Sequence, residues 1–223
     1  MPTTTRSSPP PDPQPHIARA RELTRRYKRG DKQSPEAFRE LATFLLGLTV
    51  AKREHPGLWL ARGAGPAAAT KATLQASTEP GAPVPLNDGR FLRLHFLLER
   101  MHTPDGWRLK VQESSFQYQA DQDGERWIVR YDYLREPGPD PHPQAHLQVR
   151  GALTEHATPV RRGLLEHVHF PTGRVPLEAV IRLLADQFGV TCNTESALWR
   201  PVLAESERTF QEIAHHPLSG PEA

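Results

Sequence analysis

Arg130 and Asp132 stand two residues apart in the run Arg126–Glu136, which alternates like a strand, and His146, Gln148 and Arg150 repeat that spacing in the next such run, Gln144–Gly151. Residues i and i+2 of a strand share a face. If the two runs pair antiparallel, all five side chains lie on one surface, and Trp127, Val129, Tyr131, Tyr133, Leu147 and Val149 face the core. Those residue types suit cleavage of RNA through its own 2′-OH. That reaction needs a base for the hydroxyl proton, an acid for the leaving oxygen and cations for the phosphorane charge. His146 fits the first role, because an imidazole titrates near neutrality. His142, a few residues upstream, is the second candidate for proton transfer. Asp132 would orient the His146 ring, and Arg130 and Arg150 would hold phosphate through planar, paired donors. Gln148 adds a neutral contact to RNA. An antiparallel sheet commonly leaves one face to solvent, so the same pattern also reads as an ordinary wet surface.

Other chemistries have thinner support. His167 and His169 would share a strand face, and His146 or Asp132 would complete a three-ligand zinc site, but neither HExxH nor CxxC spacing occurs. The single cysteine, Cys192, has no nucleophile signature around it and forms no intramolecular disulfide. No Gly-x-Ser-x-Gly, Walker A or Gly-x-Gly-x-x-Gly occurs, and no cofactor is expected.

The strands that must carry these residues begin after residue 87. Phe91–His102, Trp107–Gln119, Arg126–Glu136 and Gln144–Gly151 are separated by turn-forming stretches. Phe91–His102 also admits a helical reading. Trp107, Leu109 and Val111 are out of phase with Phe116 and Tyr118, which calls for a bulge near Ser114 and Ser115. A short strand, Leu165–Phe170, and a helix from Pro176 to Gly189 follow, then a last helix over about Thr194–His215 with Pro201 inside it. Two helices come earlier: a basic one over His16–Lys32, and one from Pro35 to Lys52 with Ser34 as N-cap. The expected class is α+β: an antiparallel meander of four to five strands, covered by the C-terminal helix pair, with an N-terminal helical extension.

The chain has 223 residues, 23 of them proline, with 37% hydrophobic residues and a mean hydropathy of −0.61. No apolar run reaches the roughly 18 residues of a membrane helix, and residues 1–15 lack a signal-peptide core, so a cytoplasmic protein is expected. The expected divisions are a Pro/Ser-rich tail (1–15), a basic helical segment (16–62), a Gly/Ala/Pro-rich linker (63–86), an α+β domain (87–216) and a short tail (217–223). Net charge is +2, yet residues 1–62 hold 12 Lys/Arg against 6 Asp/Glu. Arg25, Arg26 and Arg29 on the first helix are therefore candidate RNA contacts.

From Phe116 to about Gly189 the order of motifs resembles the TumE-type toxin components of bacterial toxin–antitoxin pairs. Phe-Gln-Tyr-Gln (116–119), Arg-Trp-Ile-Val-Arg-Tyr-Asp (126–132), His142 and His146, and His-Phe-Pro-Thr-Gly-Arg-Val-Pro-Leu-Glu (169–178) leading into a helix carry the likeness. Tyr133 stands where that family has Asn, and about ninety N-terminal residues have no counterpart. The resemblance implies an RNA- or translation-directed protein, a ribonuclease candidate, with an antitoxin-like partner. Two other readings compete with it. One is a noncatalytic interaction domain that docks another chain on its sheet face or its C-terminal helix, with an exposed patch along Trp199, Leu203 and Phe210; the other is a His-rich metal-dependent hydrolase.

Overall fold

The computed structural model describes residues 11–55, 57–63, 70–79, 81–136, 143–151 and 170–214. Two helices open the chain. In α1 (Gln14–Lys28) the buried residues Ala20, Leu23, Thr24 and Tyr27 recur every three or four positions. The helix starts at Gln14, inside the stretch expected to be an unstructured tail, and takes Pro15 into its first turn, where proline is tolerated. Gly30 then turns the chain at φ +67°, and α2 (Ser34–Leu48) buries Phe38, Leu41, Ala42, Leu45 and Leu46. Ser34 is the first helical residue, not the cap: its hydroxyl donates back to the carbonyl of Arg26.

Among the described residues, eight strands form one antiparallel sheet in the order β1-β2-β4-β5-β6-β7-β8, with β3 pairing on β4. They are β1 (Trp59–Arg62), β2 (Lys71–Gln75), β3 (Val84–Pro85), β4 (Phe91–Thr103), β5 (Gly106–Gln119), β6 (Trp127–Leu134), β7 (Ala145–Val149) and β8 (Phe170–Pro171). The α+β class and the meander β4 to β7 stand as expected. The sheet is larger than four or five strands, because 59–86 contributes β1, β2 and β3 to it. Leu74 and Ala76, and again Val84 and Leu86, stand two apart and are buried, and that alternation outweighs the Gly, Ala and Pro that suggested a linker. Phe91–Thr103 is a strand, as Leu92, Leu94, Phe96 and Leu98 all face the core. The bulge falls at Gln112, two residues before the expected position. Leu97 pairs with Glu113 while Leu98 pairs with Val111, which brings Leu109, Val111, Phe116 and Tyr118 into one phase.

The four helices of the described residues contribute to a single core cluster with that face of the sheet. Tyr27 of α1, Phe38 of α2, Phe96 of β4 and Phe116 of β5 make a chain of edge-to-face rings at 5.2–5.7 Å. The remaining helices are α3 (Leu177–Asp186) and α4 (Ser196–Ala214), which packs against α1 and α3. Trp199 and Leu203 are 3% and 0% exposed. The exposed apolar stripe expected of an interaction domain is absent at those two residues, which are buried in a helix that packs against α1 and α3. The Phe210 side chain lies outside the description.

The link between α3 and α4 locks onto the end of α2. Asn193 donates from Nδ2 to the carbonyls of Gly47 and Ala51 at 2.9 and 2.7 Å, and Thr194 donates from Oγ1 to that of Leu48. These side chains satisfy carbonyls that the last turn of a helix leaves unpaired. Cys192 beside them is half-buried, and burial raises its thiol pKa, as suits an inert structural residue.

Candidate functional site on the polar face of the sheet

The face turned away from the helices is polar, and the pairing registers arrange it in rows. Arg130 lies opposite Gln148 and Asp132 opposite His146, as the antiparallel pairing of the two runs requires. The rows extend across β5 and β4. Gln75, His95, Ser115, Asp132 and His146 are consecutive partners in one, and Arg93, Gln117, Arg130 and Gln148 in the next. His95, Ser115, Arg93 and Gln117 were not singled out from the sequence. The signal for them was the alternation in Phe91–His102, which marks Arg93 and His95 as the polar phase once that run is read as a strand.

Arg130 and Asp132 form a two-point ion pair, with Nε to Oδ2 at 2.6 Å and Nη2 to Oδ1 at 3.0 Å. The Arg130 side chain keeps 45% of its surface exposed, and a guanidinium has five N–H donors, so donors remain for a phosphate. The Nε2 of His146 lies 3.7 Å from Asp132 Oδ2, beyond hydrogen-bond length. Its Nδ1 lies 3.2 Å from the Pro143 carbonyl oxygen. A carbonyl only accepts, so Nδ1 carries the proton and Nε2 is the basic nitrogen of the neutral ring. The ring is mostly covered, with 12% of its side-chain surface exposed. Arg150 donates from Nη1 to the Glu125 carbonyl, which binds the end of β7 to the β5–β6 turn.

That turn occupies one end of the face. Arg93 donates to the Asp123 carbonyl at 2.9 Å, Gln117 to Gln119 Oε1 at 2.8 Å, and Gln119 to the Asp121 carbonyl at 2.7 Å. Gly124 comes so close that a Cβ there would sit 3.0 Å from Gln117 Nε2 and 3.1 Å from Arg93 Nη2. Arg93 and Gln117 are therefore structural, and the candidate patch is His95, Ser115, Arg130, Asp132, His146 and Gln148, of which Arg130 is exposed and the others are partly buried.

The structure does not bring every sequence candidate to this patch. Arg25 and Arg26 belong to α1 and Arg29 caps its C-terminus, and that helix packs on the opposite face. Arg26 is paired with Glu40 at 2.9 Å, while Arg25 and Arg29 are exposed. Neighbouring α1 arginines are paired too, Arg21 with Glu205 at 2.7 Å and Arg19 with Glu22 at 3.0 Å. Part of the charge that made this helix look like a phosphate contact is answered by acids, Glu22 on the same helix and Glu40 and Glu205 brought in by folding. His142, His167 and His169 lie outside the described residues. Among the described residues, no group of three His, Cys, Asp or Glu side chains is placed to hold a metal ion, and no helix is long and apolar enough to cross a membrane.

No protein-family model matches this chain, and no curated protein or solved structure does either.

Proposed function

We propose that the protein is an RNA-directed domain that contacts the RNA backbone on the polar face of its sheet and cleaves it without a metal. The observation that supports this reading most is the β6–β7 register, which sets a paired but exposed guanidinium, a carboxylate and an imidazole of defined tautomer side by side. In this scheme His146 Nε2 takes the 2′-OH proton, Asp132 stabilises the resulting imidazolium, and Arg130 offers its outward donors to the phosphorane oxygens. His95 serves a different nucleotide. Three strand spacings of about 4.8 Å separate it from His146, roughly 14 Å in all, too far for both rings to act on one phosphate. The proton for the leaving oxygen then falls to His142 or to water. The resemblance to TumE-type toxins points to the same substrate class and to an antitoxin-like protein as partner.

The test is incubation of the purified chain with end-labelled mixed RNA, with and without a chelator. Cleavage should survive the chelator and fall by about 10²–10⁴ in His146→Ala, with a comparable loss in Arg130→Ala and unchanged circular dichroism in both. Absence of cleavage by the wild-type chain would sink the catalytic reading. Chelator-sensitive cleavage would transfer it to the metal-dependent alternative.

A further inference from the structure

Where α2 ends, the chain turns back beside the α3–α4 link and leaves a cleft of about 460 Å³. Clefts that hold drug-sized ligands run from about 300 to 1,000 Å³. The floor is apolar, made chiefly of Phe44, Leu46, Leu48 and Leu58, the three leucines being at most 7% exposed. The rim is cationic. Lys52 and Arg53 are exposed there, and His55 is half-buried beside them. No carboxylate among the described residues lines the cleft or pairs with Lys52 or Arg53. Glu54 and Glu195, the acids nearest in sequence, are exposed and not part of the lining.

The polar side chains of the lining have hydrogens to give and few lone pairs to offer. His55 Nδ1 accepts from the Gly57 N–H at 3.1 Å, so Nε2 carries the proton of the neutral ring. Burial lowers the pKa of that ring, which keeps it neutral at pH 7. Thr43 Oγ1 accepts from the Leu58 N–H at 3.1 Å and keeps its own hydrogen to donate. Arg53 gives one N–H to the Asn193 carbonyl at 3.3 Å, and a guanidinium has five. Asn193 is engaged at both ends of its amide, donating to the carbonyls of Gly47 and Ala51 and accepting from Asn87 at 3.2 Å. Those bonds, with the one from Thr194 to the Leu48 carbonyl, tie the walls together, so the cleft is formed before a ligand arrives. Donors of positive charge over an apolar floor select an anion with an apolar body. A phosphomonoester brings close to two negative charges and three terminal oxygens, which matches three separate donor side chains better than a single carboxylate does.

We propose that the cleft binds a phosphomonoester with an aromatic body, the class to which mononucleotides belong, its phosphate on Lys52, Arg53 and the His55 N–H and its ring on Phe44 and Leu58. The cleft is on the helix side of the sheet and His146 on the other, so the proposal stands or falls apart from RNA cleavage.

Adenosine 5′-monophosphate is the probe, titrated into the full chain by calorimetry and in thermal unfolding. It should bind saturably at submillimolar concentration and raise the melting temperature, because a ligand of the folded state alone stabilises it by mass action. Lys52→Ala and Arg53→Ala change exposed side chains and should each weaken binding about tenfold. Gly47→Leu tests the space itself: Gly47 lines the cleft, and a Cβ there meets nothing within 4 Å, so the larger side chain is admitted and should cut affinity more than tenfold. Arg130→Ala should bind as the wild type does. The proposal is overturned by the absence of saturable binding, by unchanged affinity in both Lys52→Ala and Arg53→Ala, or by unchanged affinity in Gly47→Leu. A loss in Arg130→Ala in place of these would assign the nucleotide to the sheet patch and overturn it too. Adenosine binding as tightly would remove the phosphate, and inorganic phosphate binding as tightly would remove the aromatic body.

Discussion

His146 is held by the Pro143 carbonyl through one nitrogen and faces Asp132 with the other, so its chemistry depends on backbone placement as much as on its own type. A second titratable residue, Glu178, makes a sharper prediction about stability. Burial raises its pKa in the fold above the ordinary 4.5. The folded chain then binds more protons than the unfolded one, so this residue costs nothing below about pH 4 and lowers stability as pH rises through the range between its unfolded and folded values. Glu178→Gln keeps an oxygen to accept from Ser206 and carries no charge. The variant should melt higher than the wild type at pH 7–8 and at the same temperature near pH 4. Thermal scans at the two pH values check this, and equal melting temperatures at both would show that the carboxylate carries no burial penalty.

At the scale of elements, the docking of the α1–α2 turn on the β4–β5 hairpin is the joint most sensitive to one atom. Gly30 has φ +67°, and a Cβ there would sit 2.3 Å from the Trp107 carbonyl carbon and 2.4 Å from the Arg108 nitrogen. Arg100 reinforces the joint by donating to the Gly30 carbonyl at 2.8 Å and lying over the Trp107 ring at 4.9 Å. Backbone cannot yield as a flexible side chain does, so Gly30→Ala should cost about 2–4 kcal/mol. Chemical denaturation measures it. Gly89→Ala is the control: its φ is +83° but nothing lies within 4 Å of its added Cβ, so it carries the conformational cost alone, about 1 kcal/mol.

At the scale of the molecule, the N-terminal helices are part of the core. They supply Leu23, Tyr27, Phe38, Leu41 and Leu45, all at most 8% exposed. A chain starting at residue 57 would leave Leu92, Leu94, Phe96 and Phe116 uncovered. An apolar sheet face of that kind aggregates. The truncated chain should therefore be insoluble, or bind a hydrophobic dye and lack a cooperative melting transition. A soluble, cooperatively folding 57–223 fragment would show that α1 and α2 are an accessory layer.

The sequence by itself determined what depends on periodicity. The amphipathic stripes of α1, α2 and α3, the four central strands, and the grouping of Arg130, Asp132, His146 and Gln148 follow from repeats of 3.6 or 2 residues in the neighbouring stretch of chain. Tertiary structure decided what depends on partners far away in the chain. Arg26 became an ion-pair partner of Glu40 because α2 folds back on α1, and Trp199 became buried as α4 packed against α1 and α3. Only the register across β4, β5 and β6 put His95 and Ser115 into the row of His146. Likewise, only the packing of α1, α2, β5 and the start of α3 around one cavity gathered Tyr27, Ser114, Arg174 and Glu178, spread over some 150 residues of sequence. A local pattern shows which way a side chain faces; the side chains it meets are set by the packing of elements distant in sequence.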